Sequence, residues 1–135
     1  MAHGPEIEAL LATYASSFDA GDASTAASVF AQDARMSLSI GDQGVVGKWE
    51  GRDAIQLMLQ GAVDAQQPGE QRRHHVSGIR VIATDPLVVA SVILVTRAIG
   101  QKVDILTSGS QVDDMVDTSS GLRITSRALH VDVPF

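Results

Sequence analysis

The sequence contains no cysteine and few aromatic residues. Because none of its 135 residues is a cysteine, disulfide bonds and thiolate metal sites are excluded, which agrees with a reducing cytoplasm. Aromatic residues make up only 4% and the hydrophobic set 44%, so the core must be built mainly from aliphatic side chains. The length fits one domain, and we expect a single domain over residues 1–135.

Cations are also scarce. Lys and Arg number 10 against 16 Asp and Glu, which gives a net charge of −6. Arg72, Arg73 and Arg80 do not form the cluster of cations that phosphate contacts require, so nucleic-acid binding is not expected. The longest apolar run, Leu87–Val95, is too short to span a bilayer, and no secretory leader is evident. We therefore expect a cytoplasmic protein without a nucleic-acid or membrane partner.

Three helices are predicted in the first half of the chain. Apolar residues recur at steps of three and four over Ile7–Phe18, which is typical of a helix with one buried face. Asp22 is a suitable N-cap for a second, alanine-rich helix that reaches Phe30. Gly51–Asp53 opens a third helix that carries apolar residues as far as Val63.

Six strands are predicted where the apolar period changes to two and turn-forming residues separate the runs. The strand candidates are Arg35–Ile40, Val45–Trp49, Arg72–Thr84, Leu87–Ile99, Val103–Val116 and Leu122–Val133. Helices followed by a meander of strands favour an α+β fold, in which a cone-shaped, curved antiparallel sheet of about six strands packs on three N-terminal helices. Such a cone, open at one end, encloses a natural pocket for a small molecule.

Two adjacent histidines, His74 and His75, lie near the start of the third strand. Neighbouring residues of a strand face opposite sides, so one of the two must face the core. Asp19 ends the first helix pattern and could pair with that histidine across a pocket. Such a pair can move a proton near neutral pH. A hydrogen-bonded core histidine and an unrelated surface aspartate are the alternative interpretation, and the spacing leaves both open.

Several stretches of the sequence resemble the nuclear transport factor two-like superfamily and, within it, the SnoaL-like group. They are Tyr14–Asp19 followed by Ala20–Asp22, Val29–Ala34, Gly51–Ile55, Arg73–Ser77 and Arg123–His130. The resemblance covers nearly the whole chain and implies the same cone-shaped α+β fold. It does not determine the function, because proteins with this fold have many different functions.

One subset of the group, which includes scytalone dehydratase and the bile-acid dehydratase, uses an aspartate late in the first helix and a histidine early in the strand after the third helix. The matching positions here are Asp19 and His75. The resemblance therefore implies His75 as general base and Asp19 as the residue that orients it, with His74 facing solvent or a subunit contact. Tyr14 is predicted either to donate a hydrogen bond to a developing oxyanion or to be a core aromatic. The chain departs from scytalone dehydratase at Phe18, where that enzyme has a tyrosine.

Further pocket residues are expected on the later elements. Met36 and Trp49 are predicted to form pocket walls or core. Asp104 and Arg127 are candidates to project into the pocket, as polar groups from those strands do in the bile-acid dehydratase that the chain resembles. Alternatively, Asp104 pairs with Arg97 across the turn between two strands.

No metal or cofactor site is predicted. Adjacent histidines diverge on a strand, so three or four ligands are not expected to converge. No phosphate loop or dinucleotide fingerprint is present. Asp113, Asp114 and Asp117 cluster near a turn and are interpreted as solvated charges.

We expect a cofactor-independent lyase or isomerase of dehydratase type that acts on a small hydrophobic carbonyl compound. One Asp–His pair serves elimination, isomerisation and cyclisation alike, so the sequence does not choose among them. Two alternatives stay open. One is a polyketide-type cyclase or epoxide-opening enzyme, for which Asp19 and Asp104 are the only carboxylate pair on offer. The other is a non-catalytic small-molecule binding module. The apolar strand Leu87–Ile99 also favours a homodimer or homotrimer, because an apolar outer sheet face needs cover.

Overall fold

One open, six-stranded sheet packs against three helices, which confirms the predicted α+β fold class. The computed structural model describes residues 3–135, so the first two residues of the predicted domain lie outside the described range. The helices are α1 (Gly4–Asp19), α2 (Ala23–Ala27) and α3 (Arg52–Asp64). The strands are β1 (Phe30–Ile40), β2 (Val45–Glu50), β3 (Gln71–Thr84), β4 (Leu87–Ile99), β5 (Lys102–Thr118) and β6 (Gly121–Val131).

The strands follow the order β2-β1-β6-β5-β4-β3, which leaves β2 and β3 as the two edges. Neighbouring strands are antiparallel except β1 and β6, which run parallel. The sheet is therefore mixed, whereas the sequence predicted an antiparallel one. The difference arises because β1 joins the meander β3–β6 at its last strand, which runs in the same direction as β1. Local sequence patterns do not encode that long-range pairing.

The second helix is shorter than predicted. Asp22 is its N-cap as expected, and the Asp22 carboxylate accepts a hydrogen bond from the backbone N–H of Thr25 at 3.0 Å. The helix ends at Ala27, and the backbone N–H of Ile124 already donates to the carbonyl of Val29 at 2.9 Å. Phe30 therefore begins β1 opposite β6, and the prediction that the helix reaches Phe30 is wrong. The sheet hydrogen bonds at this point outweigh the local helical pattern.

The core lies between the helices and one face of the sheet, and it is aliphatic as the composition predicts. Its fully buried apolar side chains include Ile7, Leu11, Phe30, Ile55, Leu59, Val89 and Ile124. Each such side chain contributes about 1.5–3 kcal/mol by leaving water. No helix within residues 3–135 is both long and apolar enough to cross a bilayer.

The other face of the sheet carries exposed apolar side chains. Val103 and Ile105 on β5 are 70% and 69% exposed, and Val92 on β4 is 48% exposed. This face is where the expected homodimer or homotrimer would form. The subunit number stays a prediction from the sequence.

The backbones of β5 and β6 lie very close together at Gly109, and substitution of this glycine tests that contact. A Cβ atom added at Gly109 would overlap the backbone carbonyl of His130, which a side-chain rotation cannot relieve. We expect Gly109→Ala to lower the free energy of unfolding by about 1–3 kcal/mol, as overpacking does. The measurement is urea denaturation followed by circular dichroism.

Gly61→Ala is the matched control for this substitution. Gly61 lies inside α3, and nothing is within 4 Å of a Cβ built there. Alanine at this position should raise the free energy of unfolding by about 0.5–1 kcal/mol, because glycine destabilises a helix interior. Equal effects of the two substitutions would contradict the steric explanation at Gly109.

Candidate active site

The carboxylate of Asp19 binds His74 through both its ring and its backbone. Asp19 is the last residue of α1, and its Oδ1 lies 2.6 Å from His74 Nδ1. The backbone N–H of His74 also donates to Oδ1 at 3.1 Å and to Oδ2 at 3.0 Å. Both side chains are largely buried, at 8% and 12% exposure for Asp19 and His74. A carboxylate on Nδ1 fixes the ring so that Nε2 is the free nitrogen.

This contact corrects the prediction that Asp19 pairs with His75. The side chain of His75 lies on the opposite face of β3, where its Nε2 is 3.0 Å from the hydroxyl of Thr96. Val76 is half-buried on the same side of the strand as His74, whereas Ser77 is exposed on the side of His75. The strand alternates along its length, so the apolar residue at position 76 marks the inward set of residues. The position of Val76 in the sequence therefore indicated His74 as the inward histidine, whereas the family resemblance indicated His75.

Local contacts hold the end of α1 against the edge strand. The side-chain amide of Gln71 on β3 donates to the backbone carbonyl of Asp19 at 2.9 Å, which satisfies a carbonyl at the helix end. The ring of Phe18 stacks on the ring of His74, with centroids 4.8 Å apart and an interplanar angle of 23°. The imidazole of His74 is thereby fixed by a hydrogen bond at Nδ1 and by stacking on one face.

Deeper in the core, Arg127 on β6 forms a bidentate ion pair with Asp113 on β5. The Nε–Oδ1 distance is 2.7 Å and the Nη2–Oδ2 distance is 3.0 Å, with side-chain exposures of 1% for Arg127 and 0% for Asp113. The interpretation of Asp113 as a solvated charge is therefore wrong. Burial lowers the pKa of Arg127, but the charge and hydrogen bonds of Asp113, together with the effects of Tyr14, outweigh burial, so the pKa is raised and the guanidinium stays charged.

Tyr14 packs between this ion pair and two aromatic residues, Phe18 on α1 and Phe30 on β1. The guanidinium carbon of Arg127 lies 4.6 Å from the Tyr14 ring centroid, within the range of a cation–π contact. Edge-on contacts with Phe18 and Phe30 complete the packing, with centroids 5.8 Å and 5.9 Å apart. Burial raises the pKa of the Tyr14 hydroxyl, and the nearby charge of Arg127 only partly opposes this. Tyr14 is therefore a neutral hydrogen-bond donor at ordinary pH.

These groups adjoin one cavity of about 370 Å³ between the helices and the sheet, a volume suited to a small molecule. The apolar lining includes Phe18, Met36, Leu38, Trp49, Val76, Ile93 and Leu129. The polar lining consists of Tyr14, Gln66, Arg72, His74, Gln111 and Arg127. Within residues 3–135, no Asp or Glu lines this cavity.

The structure thus gathers four of the residues expected from the sequence around the cavity: Tyr14, Met36, Trp49 and Arg127. Asp104 does not line it. Instead, its carboxylate is 3.6 Å from the guanidinium of Arg97, which is the cross-turn pair that the sequence also allowed. His75 likewise lies away from the cavity.

The sequence reasoning missed that His74 and Gln111 line the cavity and that Asp113 pairs with Arg127. Gln111 and Asp113 share the inward side of β5 with buried Met115, so alternation along the strand carried their signal. Among residues 3–135, no three histidine or acidic side chains converge as metal ligands would.

The Asp19–His74 pair also borders a second, more open depression. A groove of about 500 Å³ runs between α1 and β3 and is lined by Asp19, His74 and Arg73, among others. His74 therefore lies between a largely apolar cavity and a more open surface groove. The cavity is the better candidate for binding a substrate, because it is apolar with a few convergent polar groups.

Comparisons with known proteins agree with the fold. The sequence model of the SnoaL-like domain family matches residues 4–128. Aln2 from a Streptomyces species is similar in structure, with a TM-score of 0.81 and 24% identity over 93% of this chain and 88% of that chain. No curated protein sequence matches this chain at a significant level.

Two proteins from Novosphingobium aromaticivorans are similar as well. An NTF2-like protein with a cystatin-like fold has a TM-score of 0.78 and 19% identity, over 94% of this chain and 80% of that chain. A candidate scytalone dehydratase has a TM-score of 0.71 and 21% identity, over 94% of this chain and 82% of that chain. At these identities the likeness is one of fold.

The hydrogen bond to Asp19 predicts which tautomer His74 adopts. At a pH where the ring is neutral, Nδ1 should carry the proton and Nε2 should be the acceptor. In Asp19→Ala this preference should weaken, because the acceptor for the Nδ1 proton is gone. Nitrogen-15 chemical shifts of the imidazole rings measure the tautomer directly. The signals of His75 serve as an internal control and should not change, since that ring binds Thr96 on the other face. A wild-type His74 protonated at Nε2 would contradict the assignment.

The raised pKa of Tyr14 predicts a loss of stability at high pH. Above the ordinary pKa of 10.0, the unfolded chain loses the phenol proton while the folded protein keeps it. The stabilising contribution is therefore complete below that pH and is lost as the pH rises through the raised pKa of the folded state. Because Tyr14 is the single tyrosine, tyrosinate absorbance reports this group alone.

We expect the absorbance titration of folded protein to lie at higher pH than that of urea-unfolded protein. The urea midpoint should fall less steeply with pH in Tyr14→Phe than in the wild type over the same alkaline range. If the absorbance of folded and unfolded wild-type protein changed over the same pH range, the conclusion that Tyr14 is buried with a raised pKa would be wrong.

Proposed function

Because the chain belongs to the SnoaL-like domain family, we propose that it is a lyase or isomerase of dehydratase type that needs no cofactor. Its substrate is a small hydrophobic carbonyl compound held in the apolar cavity between the helices and the sheet. The observation that carries this proposal is the 2.6 Å contact between Asp19 and a histidine, His74, that lines an apolar cavity.

His74 is the general base in this proposal. Nδ1 is engaged by Asp19, and Nε2 makes no hydrogen bond with any of residues 3–135. Nε2 is therefore available to remove a proton from a carbon next to a carbonyl group. The positive charge that forms on the ring is stabilised by the Asp19 carboxylate. A base positioned in this way accelerates proton removal by roughly 10²–10⁴-fold.

Tyr14 and Arg127 stabilise the enolate oxygen that develops as the proton leaves. Tyr14 offers a neutral hydroxyl, because burial raises its pKa. Asp113 takes two of the five N–H donors of the Arg127 guanidinium, which leaves others for a ligand. Donors that are already in place in a site shielded from water stabilise a developing charge strongly, and removing one costs about 10²–10³ in rate.

The fate of the enolate decides the overall reaction. If a hydroxyl group leaves the adjacent carbon, the imidazolium returns its proton to that group and water departs, which gives dehydration. If the proton returns to another carbon, the reaction is an isomerisation. If the enolate attacks an electrophilic carbon of the same molecule, the reaction is a cyclisation, which the same base also serves. Opening of an epoxide would need a second carboxylate or a positioned water, and no Asp or Glu within residues 3–135 lines the cavity. The Asp19–His74 contact favours catalysis over a binding module.

Exchange of protons for deuterium tests the base without knowledge of the natural substrate. We expect the protein to accelerate loss of the protons next to the carbonyl group of 1-tetralone in deuterium oxide, followed by proton NMR. His74→Gln should lower the rate by about 10²–10⁴-fold. Asp19→Asn should lower it less, because the base remains but its orientation and charge partner are lost.

His75→Gln is the matched control. His75 is an adjacent histidine on the outer face of the same strand, so its replacement should leave the exchange rate within about twofold of the wild type. Equal losses in the two histidine variants, or a His74→Gln protein with the wild-type rate, would refute His74 as the base.

A further inference from the structure

A buried glutamine lines the cavity without a role in the chemistry above. Gln111 on β5 is 4% exposed, and its side-chain Nε2 donates to the hydroxyl of Ser91 on β4 at 3.1 Å. Ser91 is itself 3% exposed and lies opposite Gln111 in the strand pairing. The amide nitrogen is therefore engaged on the side of β4.

The amide oxygen of Gln111 accepts no hydrogen bond from any of residues 3–135, and the residue lines the cavity. Burying an acceptor without a partner is unfavourable, and a hydrogen-bond donor on a ligand would supply that partner.

We propose that Gln111 is a specificity-determining residue, whose Oε1 accepts a hydrogen bond from a hydroxyl group on the substrate. The inference rests on the proposed function and narrows its substrate class to hydroxylated carbonyl compounds. A site built to bind a hydroxyl group discriminates strongly against an analogue that lacks one, because the buried acceptor is then left unpaired.

The position of Gln111 separates this hydroxyl group from the reacting carbon. His74 is opposite Val95 on β4, whereas Gln111 is opposite Ser91. Four residues along a strand correspond to about 13 Å, and β3 and β5 are a further two strand spacings of about 4.8 Å each apart. Both side chains line the same cavity, so a compound with fused rings is the kind of ligand that could contact both. The hydroxyl group read by Gln111 is thus on a ring distant from the carbon that loses its proton.

Binding of two matched ketones tests this inference. The probes are 6-hydroxy-1-tetralone, which offers a hydroxyl donor, and 6-methoxy-1-tetralone, which does not. We expect wild-type protein to bind the hydroxy compound at least about tenfold more tightly in calorimetric titration. Gln111→Leu, which retains the size of the side chain, should bind both compounds equally.

Two further variants separate specificity from folding and from catalysis. Ser91→Ala frees the amide to rotate and should reduce the preference while leaving Gln111 in place. His74→Gln should retain the preference, because His74 does not contact the distant hydroxyl group. Thermal unfolding of each variant shows that it is folded at the titration temperature.

The inference is overturned if wild-type protein binds both ketones equally, binds neither, or prefers the methoxy compound. The last result would mean that the NH₂ group faces the cavity. A preference that persists in Gln111→Leu would also overturn it. Deuterium exchange of unsubstituted 1-tetralone keeps the two proposals apart. If the protein accelerates deuterium exchange but does not prefer the hydroxy ketone, only the proposed role of Gln111 is wrong. If it prefers the hydroxy ketone but does not accelerate exchange, the proposed role of His74 as base is wrong.

Discussion

The contact between Asp19 and His74 joins the helical layer to the sheet at the point where the sheet would otherwise be open. β3 is an edge strand, so half of its backbone N–H groups have no strand partner. The Asp19 carboxylate accepts a hydrogen bond from one of these groups, the backbone N–H of His74, and it also binds Nδ1 of the same residue. A buried carboxylate needs such donors, because burying it without them is strongly unfavourable. The same hydrogen bonds that allow the helix end to pack on the edge strand therefore hold the ring in a single orientation.

The cavity combines an apolar lining with polar groups at separate places. His74 lies at the wall formed by α1 and β3, while Arg127 and Gln111 lie on the central strands β6 and β5. In a largely apolar site, each hydrogen bond is stronger than at the surface, and each unpaired polar group is more unfavourable. A ligand must therefore present its own polar atoms at matching positions, which makes the separation of these groups a constraint on the substrate.

The sequence predicts the architecture well because that information is local. The apolar period of α1, the Asp22 cap and the alternation of the strands all arise from neighbouring residues. The candidate site was predicted in part: Asp19 and Tyr14 were found, but the histidine was placed one residue too far along. In a strand, a shift of one residue reverses the face, so a family resemblance must agree with the apolar alternation to identify the inward residue. Val76 supplied that information.

Non-local pairing explains what the sequence did not predict. Asp113 was taken for a solvated charge because its partner, Arg127, lies on another strand in a register that only the folded sheet defines. A bulge between Asp114 and Met115 further obscures that register in the sequence. The parallel contact of β1 with β6 was hidden for the same reason, since the two strands are separated by most of the chain.

The buried ion pair has consequences for how the cavity is interpreted. Asp113 and Arg127 are almost completely withdrawn from water, and the attraction of such a pair barely offsets the loss of hydration. Apolar residues of similar volume in the same positions often make a protein about 1–4 kcal/mol more stable. Stability is therefore a poor explanation for a guanidinium in this core. Its contact with Tyr14 and its position at the cavity favour a chemical role instead. Asp113 keeps Arg127 charged and fixed, so in the proposed reaction a developing oxyanion would meet donors that do not have to reorganise.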